Sequence, residues 1–265
     1  MPKTAPKIHG TSARNGKRSE KISPTRPALD WELIWNFANS AANESPDDQA
    51  SRNATTYSAL KRMILSGHFG PGNKLVHEDL ADQLHVSRTP VREALERLYQ
   101  EGFVTRLPRR GFYVTGVTRD EAYDLYSTRE ALELFALQVT LAHGPIAQPS
   151  MDRLWHYLQR YEELANSQAI GQRIIADVLF HLNLATLSGN RYLVSRLAQI
   201  FELLGLKRRH EGYNHSRAQM AIAEHKQLLN ALGAYDKNTA TQTLRTHISS
   251  ARDALLSQLY EEPSA

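Results

Sequence analysis

The sequence predicts a mainly α-helical protein: a small three-helix module closed by a β-hairpin, followed by an all-α helical bundle. Three observations predict it. Between Thr55 and Gln100, apolar residues recur at helical spacing in three short runs. Two short β-prone segments, Phe103-Val104-Thr105-Arg106 and Gly111-Phe112-Tyr113-Val114-Thr115, flank a basic turn, Leu107-Pro108-Arg109-Arg110. After Gly116 the pattern is helical almost to the end, broken only at Gly144-Pro145, Ser167, Gly189-Asn190, Gly212 and Gly233.

In the first module, Tyr57, Leu60, Met63, Ile64 and Leu65 mark one face of a helix that ends near Gly67. Phe69-Gly70-Pro71-Gly72 is a turn. A second helix is expected from His77 to Leu84 with Leu80, Ala81 and Leu84 inward, then a short turn at His85-Val86-Ser87. A third, from Arg88 to Gln100, buries Val91, Ala94, Leu95 and Leu98 and stops at Glu101-Gly102. Three helices and a hairpin make a winged helix-turn-helix. Six further helices are expected near 119–143, 150–166, 171–188, 190–212, 216–233 and 237–261. The domains are therefore a basic and acidic N-terminal extension over residues 1–50, the winged module over 51–117 and the bundle over 118–262.

Composition narrows the function. The chain has 265 residues, 41% of them hydrophobic, enough for a sizeable core. It has no cysteine, which excludes disulfides and thiolate metal sites and leaves only nitrogen and oxygen ligands. No apolar run approaches the roughly 20 residues that span a bilayer. The first residues lack the apolar core of a signal peptide, so no membrane partner and a cytoplasmic protein are expected. The net charge is only +4, but it is unevenly distributed. Residues 1–26 carry seven Lys/Arg against Glu20, residues 27–50 carry five acids and no Lys/Arg, and residues 51–117 carry ten Lys/Arg against six acids. Residues 1–28 read as a flexible basic tail, and residues 29–42, with Trp31, Leu33, Ile34, Trp35 and Phe37, as a short helix too apolar for a free linker. Asn43 to Gln49 reads as a polar linker.

The stretch Val86-Ser87-Arg88-Thr89-Pro90-Val91-Arg92 opens a helix suited to lie against DNA. Ser87 is a good N-cap, and Pro90 is tolerated in the first turn, where backbone N–H groups lack helical partners. Arg88 and Arg92, four residues apart, share one face, and guanidinium groups there suit phosphates and guanine edges. Arg109 and Arg110 place cations at the tip of the wing, where they reach phosphate or minor groove. A helix-turn-helix pattern alone can be mere packing; the arginines at the helix start and on the wing point to double-stranded DNA.

A second constellation lies in the bundle. Asp177 and His181 are spaced i, i+4 on one helix face, and His225 and His247 lie on the last two helices. If these helices pack together, one carboxylate and three imidazoles converge, a set that fits a divalent metal ion such as Zn²⁺, Ni²⁺ or Mn²⁺ with open positions. A single helical histidine is more often a hydrogen-bonded interface residue than a ligand, and His156, His210 and His215 are read as surface or packing residues. Arg129 and Glu133 are also i, i+4: an intrahelical salt bridge, or an arginine lining the same cavity that takes a carboxylate by a bidentate contact.

Val86 to Leu95, then Leu98, Glu101-Gly102 and Arg109-Arg110-Gly111-Phe112, resemble the DNA-binding domain of GntR-family bacterial transcription regulators. The C-terminal half, through Arg129 with Glu133, Asp177 to His181, Gly189-Asn190, Glu224-His225 and His247, resembles the FCD effector domain of the FadR-type subfamily, in its VanR-like, six-helix form. The resemblance implies a homodimeric repressor or activator rather than an enzyme, with operator DNA on Ser87, Arg88, Thr89, Arg92, Arg109, Arg110 and Gly111. It further implies a metal on Asp177, His181, His225 and His247, and a small carboxylate or sugar-acid effector on Arg129. The chain departs from the pattern at His77-Glu78-Asp79, where many relatives carry a DNA-contacting arginine, and in its N-terminal extension. Two other readings of the residues stand beside this one. A His₃-Asp site with open positions can activate water in a metal-dependent enzyme acting on a small carboxylate, although no general base is evident apart from the ligands. Alternatively, the C-terminal half only dimerises a DNA-binding protein.

Overall fold

The computed structural model describes residues 34, 48–116, 118–165, 170–208 and 215–259. The first unit runs α1 (Asp48–Leu65), β1 (Lys74–Leu75), α2 (His77–Leu84), α3 (Arg88–Gln100), β2 (Val104–Leu107) and β3 (Gly111–Val114). The three strands form an antiparallel sheet in the order β1-β3-β2, with Phe112 of β3 opposite both Leu75 and Arg106. This is the predicted winged helix-turn-helix, and α2 and α3 occupy the expected residues. Two details differ. Asp48 and Gln49, expected in a linker, open α1. The strand β1 was not foreseen, since two residues are too few to display alternation.

The turn between α2 and α3 is made by His85, whose φ of 54° ends α2 in a left-handed cap. The N–H of Val86 then reaches back to the Ala81 carbonyl at 3.0 Å. That reversal lets α3 cross α2 with Val91, Ala94, Leu95 and Leu98 buried and its other side in solvent. The core beneath is built from Leu60 and Ile64 of α1, Leu80 of α2, Phe103, and Phe112 and Val114 of the wing. Ile34 is fully buried in the same cluster. Trp31, Leu33, Trp35 and Phe37, the basic tail and the remainder of the linker lie outside the described residues.

The second unit comprises α4 (Arg119–Ala142), α5 (Gln148–Ala165), α6 (Ile170–Thr186), α7 (Arg191–Arg208), α8 (His215–Gly233) and α9 (Lys237–Leu256). Local signals set several ends. Thr118 and Glu121 form a capping box at the start of α4, and Asp236 caps α9 by accepting from the Thr239 N–H at 3.0 Å. Helix α4 packs against α6, α7 and α9, and α5 against α6 and α8, so α6 and α9 bring their inner faces toward the centre of the bundle. The apolar cluster under the winged unit continues into this bundle through Ala136, Val178, Leu182, Leu197 and Phe201. The two units thus share buried surface.

The wing turns on Pro108-Arg109-Arg110, closed by the Arg110 N–H donating to the Leu107 carbonyl at 3.1 Å. Arg109 takes a φ of 62°, a left-handed conformation that crowds its Cβ. Replacing it with glycine removes that crowding, so Arg109→Gly is expected to raise stability by about 1 kcal/mol in urea denaturation. An unchanged or lower midpoint would show that the wing tip is not strained.

Candidate functional site

Asp177 and His181 lie one turn apart on the inner face of α6. Helix α8 brings in His225 and α9 brings in His247, and all four are buried. Their ligand atoms lie within 4.8 Å of one another. The His181 Nε2 is 3.1 Å from His247 Nε2 and 3.3 Å from His225 Nε2. The Asp177 Oδ1 stands 3.7 Å from His225 Nε2 and 3.9 Å from His181 Nε2.

Two carboxylates hold the outer edges of this cluster. Glu133 on α4 lies 2.7 Å from His181 Nδ1, and Glu224 on α8 lies 2.7 Å from His247 Nδ1. Each carboxylate accepts a proton-bearing Nδ1–H, which leaves Nε2 as a bare lone pair. Two bare nitrogens facing each other at 3.1 Å repel unless a positive charge lies between them. A tetrahedral ion with bonds of about 2.0–2.1 Å to nitrogen sets its donors roughly 3.3 Å apart. The donor set therefore fits a first-row divalent ion. The third histidine differs: the buried His225 Nδ1 makes no hydrogen bond among the described residues.

Arg129, fully buried on α4, makes the intrahelical ion pair, the first of the two sequence alternatives. Its Nε donates to Glu133 Oε1 at 2.5 Å, giving the intrahelical ion pair, while Nη1 and Nη2 have no partner among the described residues. Its guanidinium lies 4.7 Å from the Phe201 ring centre. Glu133 thereby joins Arg129 to His181 through its two oxygens.

Electrostatics follow from burial. Burial pushes His225 down to about 3, against an attraction from Asp177 that favours the charged form. Burial and the neighbouring His225, His181 and Arg129 push His247 well below its ordinary range. Both imidazoles are thus held neutral, the form that ligates metals. Burial alone would raise Glu133, but Arg129 and His181 hold it down at about 2. Burial raises Glu224 from its ordinary value despite Arg217, whose Nη1 donates to it at 2.9 Å.

Sequence reasoning missed the roles of Glu133 and Glu224 toward the histidines. The only signal was position: Glu133 follows Arg129 by one turn, and Glu224 adjoins His225 but points to a different side of α8. His156 is exposed, as expected, while His210 and the side chain of His215 lie outside the described residues.

On the winged unit, Ser87, Arg88, Thr89, Arg92, Arg109 and Arg110 are all exposed, and Gly111 is half-buried. Ser87 stands at the N-cap with extended backbone, but its hydroxyl makes no capping hydrogen bond. Part of the reason is that Pro90, third in the helix, has no N–H to offer. Arg88 Nη1 pairs with Glu78 Oε1 at 3.0 Å, so the departure noted on α2 falls directly on a recognition-helix arginine. Arg106 of the wing pairs with Glu96 of α3 at 3.0 Å. No helix of the described residues is long and apolar enough to cross a membrane.

A basic helix-turn-helix and wing joined to a helical domain with a buried polar centre define a DNA-binding transcriptional regulator. Residues 52–114 match the bacterial regulatory proteins of the gntR family, and residues 124–250 match the FCD domain. The chain belongs to the GntR family and carries an FCD domain. It is 30% identical over 203 residues to the HTH-type transcriptional regulator McbR of Escherichia coli, covering 76% of this chain and 90% of McbR. It is 36% identical over 146 residues to the Nta operon transcriptional regulator of Aminobacter aminovorans, covering 55% of this chain and 68% of that protein. The solved structure of E. coli McbR/YncC superposes with a TM-score of 0.65 at 25% identity, over 78% of this chain and 97% of that one. A putative GntR regulator from Rhodococcus sp. RHA1 shares the fold, with a TM-score of 0.67 at 24% identity over 79% of this chain and 100% of that one.

The neutral buried histidines carry a consequence for pH. Unfolded, His225 takes up a proton near pH 6.5; folded, only at about 3. Between these values the unfolded chain binds more protons, so stability is lost as pH falls from 6.5 toward 3, by at most about 1.4 kcal/mol per pH unit per histidine. Melting temperatures of chelator-treated protein should therefore decline steadily below pH 6.5, and a flat profile down to pH 5 contradicts this protonation state.

Proposed function

We propose that this regulator senses a small organic or sugar acid at a metal centre in its FCD domain and thereby changes its hold on operator DNA, most simply as a repressor. The observation that carries the reading is the set of bare imidazole nitrogens at 3.1–3.3 Å beside Asp177. Asp177, His181, His225 and His247 hold a divalent ion, Zn²⁺, Ni²⁺ or Mn²⁺. When bound, the ion supplies positive charge and open positions for an oxygen ligand. Arg129 supplies the second anchor, because its two unpartnered Nη atoms are buried donors that a carboxylate satisfies bidentately. Glu133 keeps Arg129 and His181 in fixed relation, so a bound acid is sensed by both.

The DNA surface is formed by Ser87, Arg88, Thr89 and Arg92 at the start of α3 and by Arg109, Arg110 and Gly111 on the wing. A homodimer places two such surfaces on a two-fold operator. The acid alters DNA binding to the extent that it binds the two arrangements of the dimer with different affinity.

Two measurements test this reading. With operator sites selected in vitro by the full chain, Arg88→Ala is expected to weaken binding by about 1–3 kcal/mol if Arg88 reads a guanine edge. Wild-type affinity would remove Arg88 from the interface. For the metal, Asp177→Ala is expected to lower Zn²⁺ affinity by at least about tenfold in a chelator competition, since even residues that only support ligands cost that much. Unchanged affinity would place the ion elsewhere.

A further inference from the structure

Beneath the winged unit, Lys61 of α1 is almost fully buried. Its Nζ lies 2.7 Å from Glu202 Oε2 on α7 and 3.3 Å from Glu101 Oε2 at the end of the recognition helix. It also stands 4.5 Å from the Phe103 ring centre. Glu101 is gripped from two further sides, by the Tyr57 hydroxyl at 2.5 Å and the Arg97 Nε at 3.0 Å. The cation therefore ties the C-terminal end of α3 to a helix of the FCD domain.

The neighbours of Glu202 on α7 give this tie a direction. Phe201 lies under the Arg129 guanidinium and 5.8 Å from the His181 ring. Leu203 closes on Gly102, directly after the α3 cap, where an added Cβ would meet its methyl at 3.8 Å. Three consecutive residues thus touch the metal-and-arginine site on one side and the end of the recognition helix on the other. The apolar surface shared by the two units is non-directional and tolerates sliding. A buried charge pair is not tolerant, because separation strands both charges away from water.

We propose that the Lys61–Glu202 pair is the positioning contact through which the occupancy of the Asp177/His181/His225/His247 site reaches the recognition helix. The proposal rests on the metal reading above. A change at Arg129 or His181 displaces Phe201. Glu202, the next residue, carries Lys61 and Glu101 with it, and the end of α3 shifts. Lys61 and Glu202 belong neither to the four residues of the metal site nor to the exposed DNA-facing set, so their role is coupling and not binding.

The test uses Zn²⁺ as the probe and hydrogen–deuterium exchange of the full chain as the readout. In the wild type, Zn²⁺ is expected to slow exchange at residues 177–184 and also to change it at residues 97–103 by about fivefold or more, the low end of a measurable coupling. In Glu202→Gln, which keeps the size of the side chain, the response at 177–184 should persist and the response at 97–103 should disappear. The Lys61→Met/Glu202→Met double variant replaces the pair with apolar side chains that fill the site, an exchange that folded proteins commonly accept. It carries the same expectation if the single variant does not fold. A pair with a purely structural role changes melting temperature but leaves the Zn²⁺-dependent difference at 97–103 in place. Persistence of that difference in the variants overturns the proposal, as does a wild type that responds at 177–184 and not at 97–103. A wild type that responds at neither segment overturns the metal reading and the coupling together.

Discussion

Three imidazole nitrogens directed at one another inside an apolar bundle are the constraint around which the C-terminal domain is arranged. Their mutual repulsion and the low dielectric around them make the cluster unfavourable by itself. Everything adjoining it answers that problem. Glu133 and Glu224 fix the protons on the outer ring nitrogens, and Asp177 adds a negative charge at the centre. Arg129 and Arg217 in turn balance the two glutamates. On the proposed reading a divalent cation completes this arrangement and accounts for the charge buried between α4, α6, α8 and α9.

The same logic of buried charge recurs where the two domains meet, with a different outcome. At the histidine cluster, like groups converge in a set that fits a cation. At Lys61, the cation is already part of the chain and unites carboxylates from α3 and α7. Burial raises Glu202 while Lys61 draws it down, so this pair is held by geometry as well as by charge. Arg88, by contrast, is exposed, and its pairing with Glu78 is the kind of surface contact that DNA can displace at little cost.

The parts of this structure written in local signals were legible from the sequence. The limits of α2 and α3 follow from apolar spacing and the Glu101-Gly102 stop. Asp177 and His181 were legible as a pair because one helical turn places them on one face. Their meeting with His225 and His247 was not readable from spacing, since it depends on how three helices pack, and there the family resemblance supplied the set. Glu133 appeared only as the partner of Arg129, because a carboxylate with two oxygens can serve two elements and sequence shows one at a time. Lys61 resembles any surface lysine, and only the placement of Glu202, 141 positions further along the chain, makes it a buried one.

X-ray absorption spectroscopy of the Zn²⁺-loaded protein tests the central claim most directly. The expected spectrum has a first shell of nitrogen and oxygen at about 2.0–2.1 Å, with the outer-shell scattering of three imidazole rings. A spectrum without imidazole scattering, or with one ring only, would show that the buried histidines are packing residues and not a metal centre.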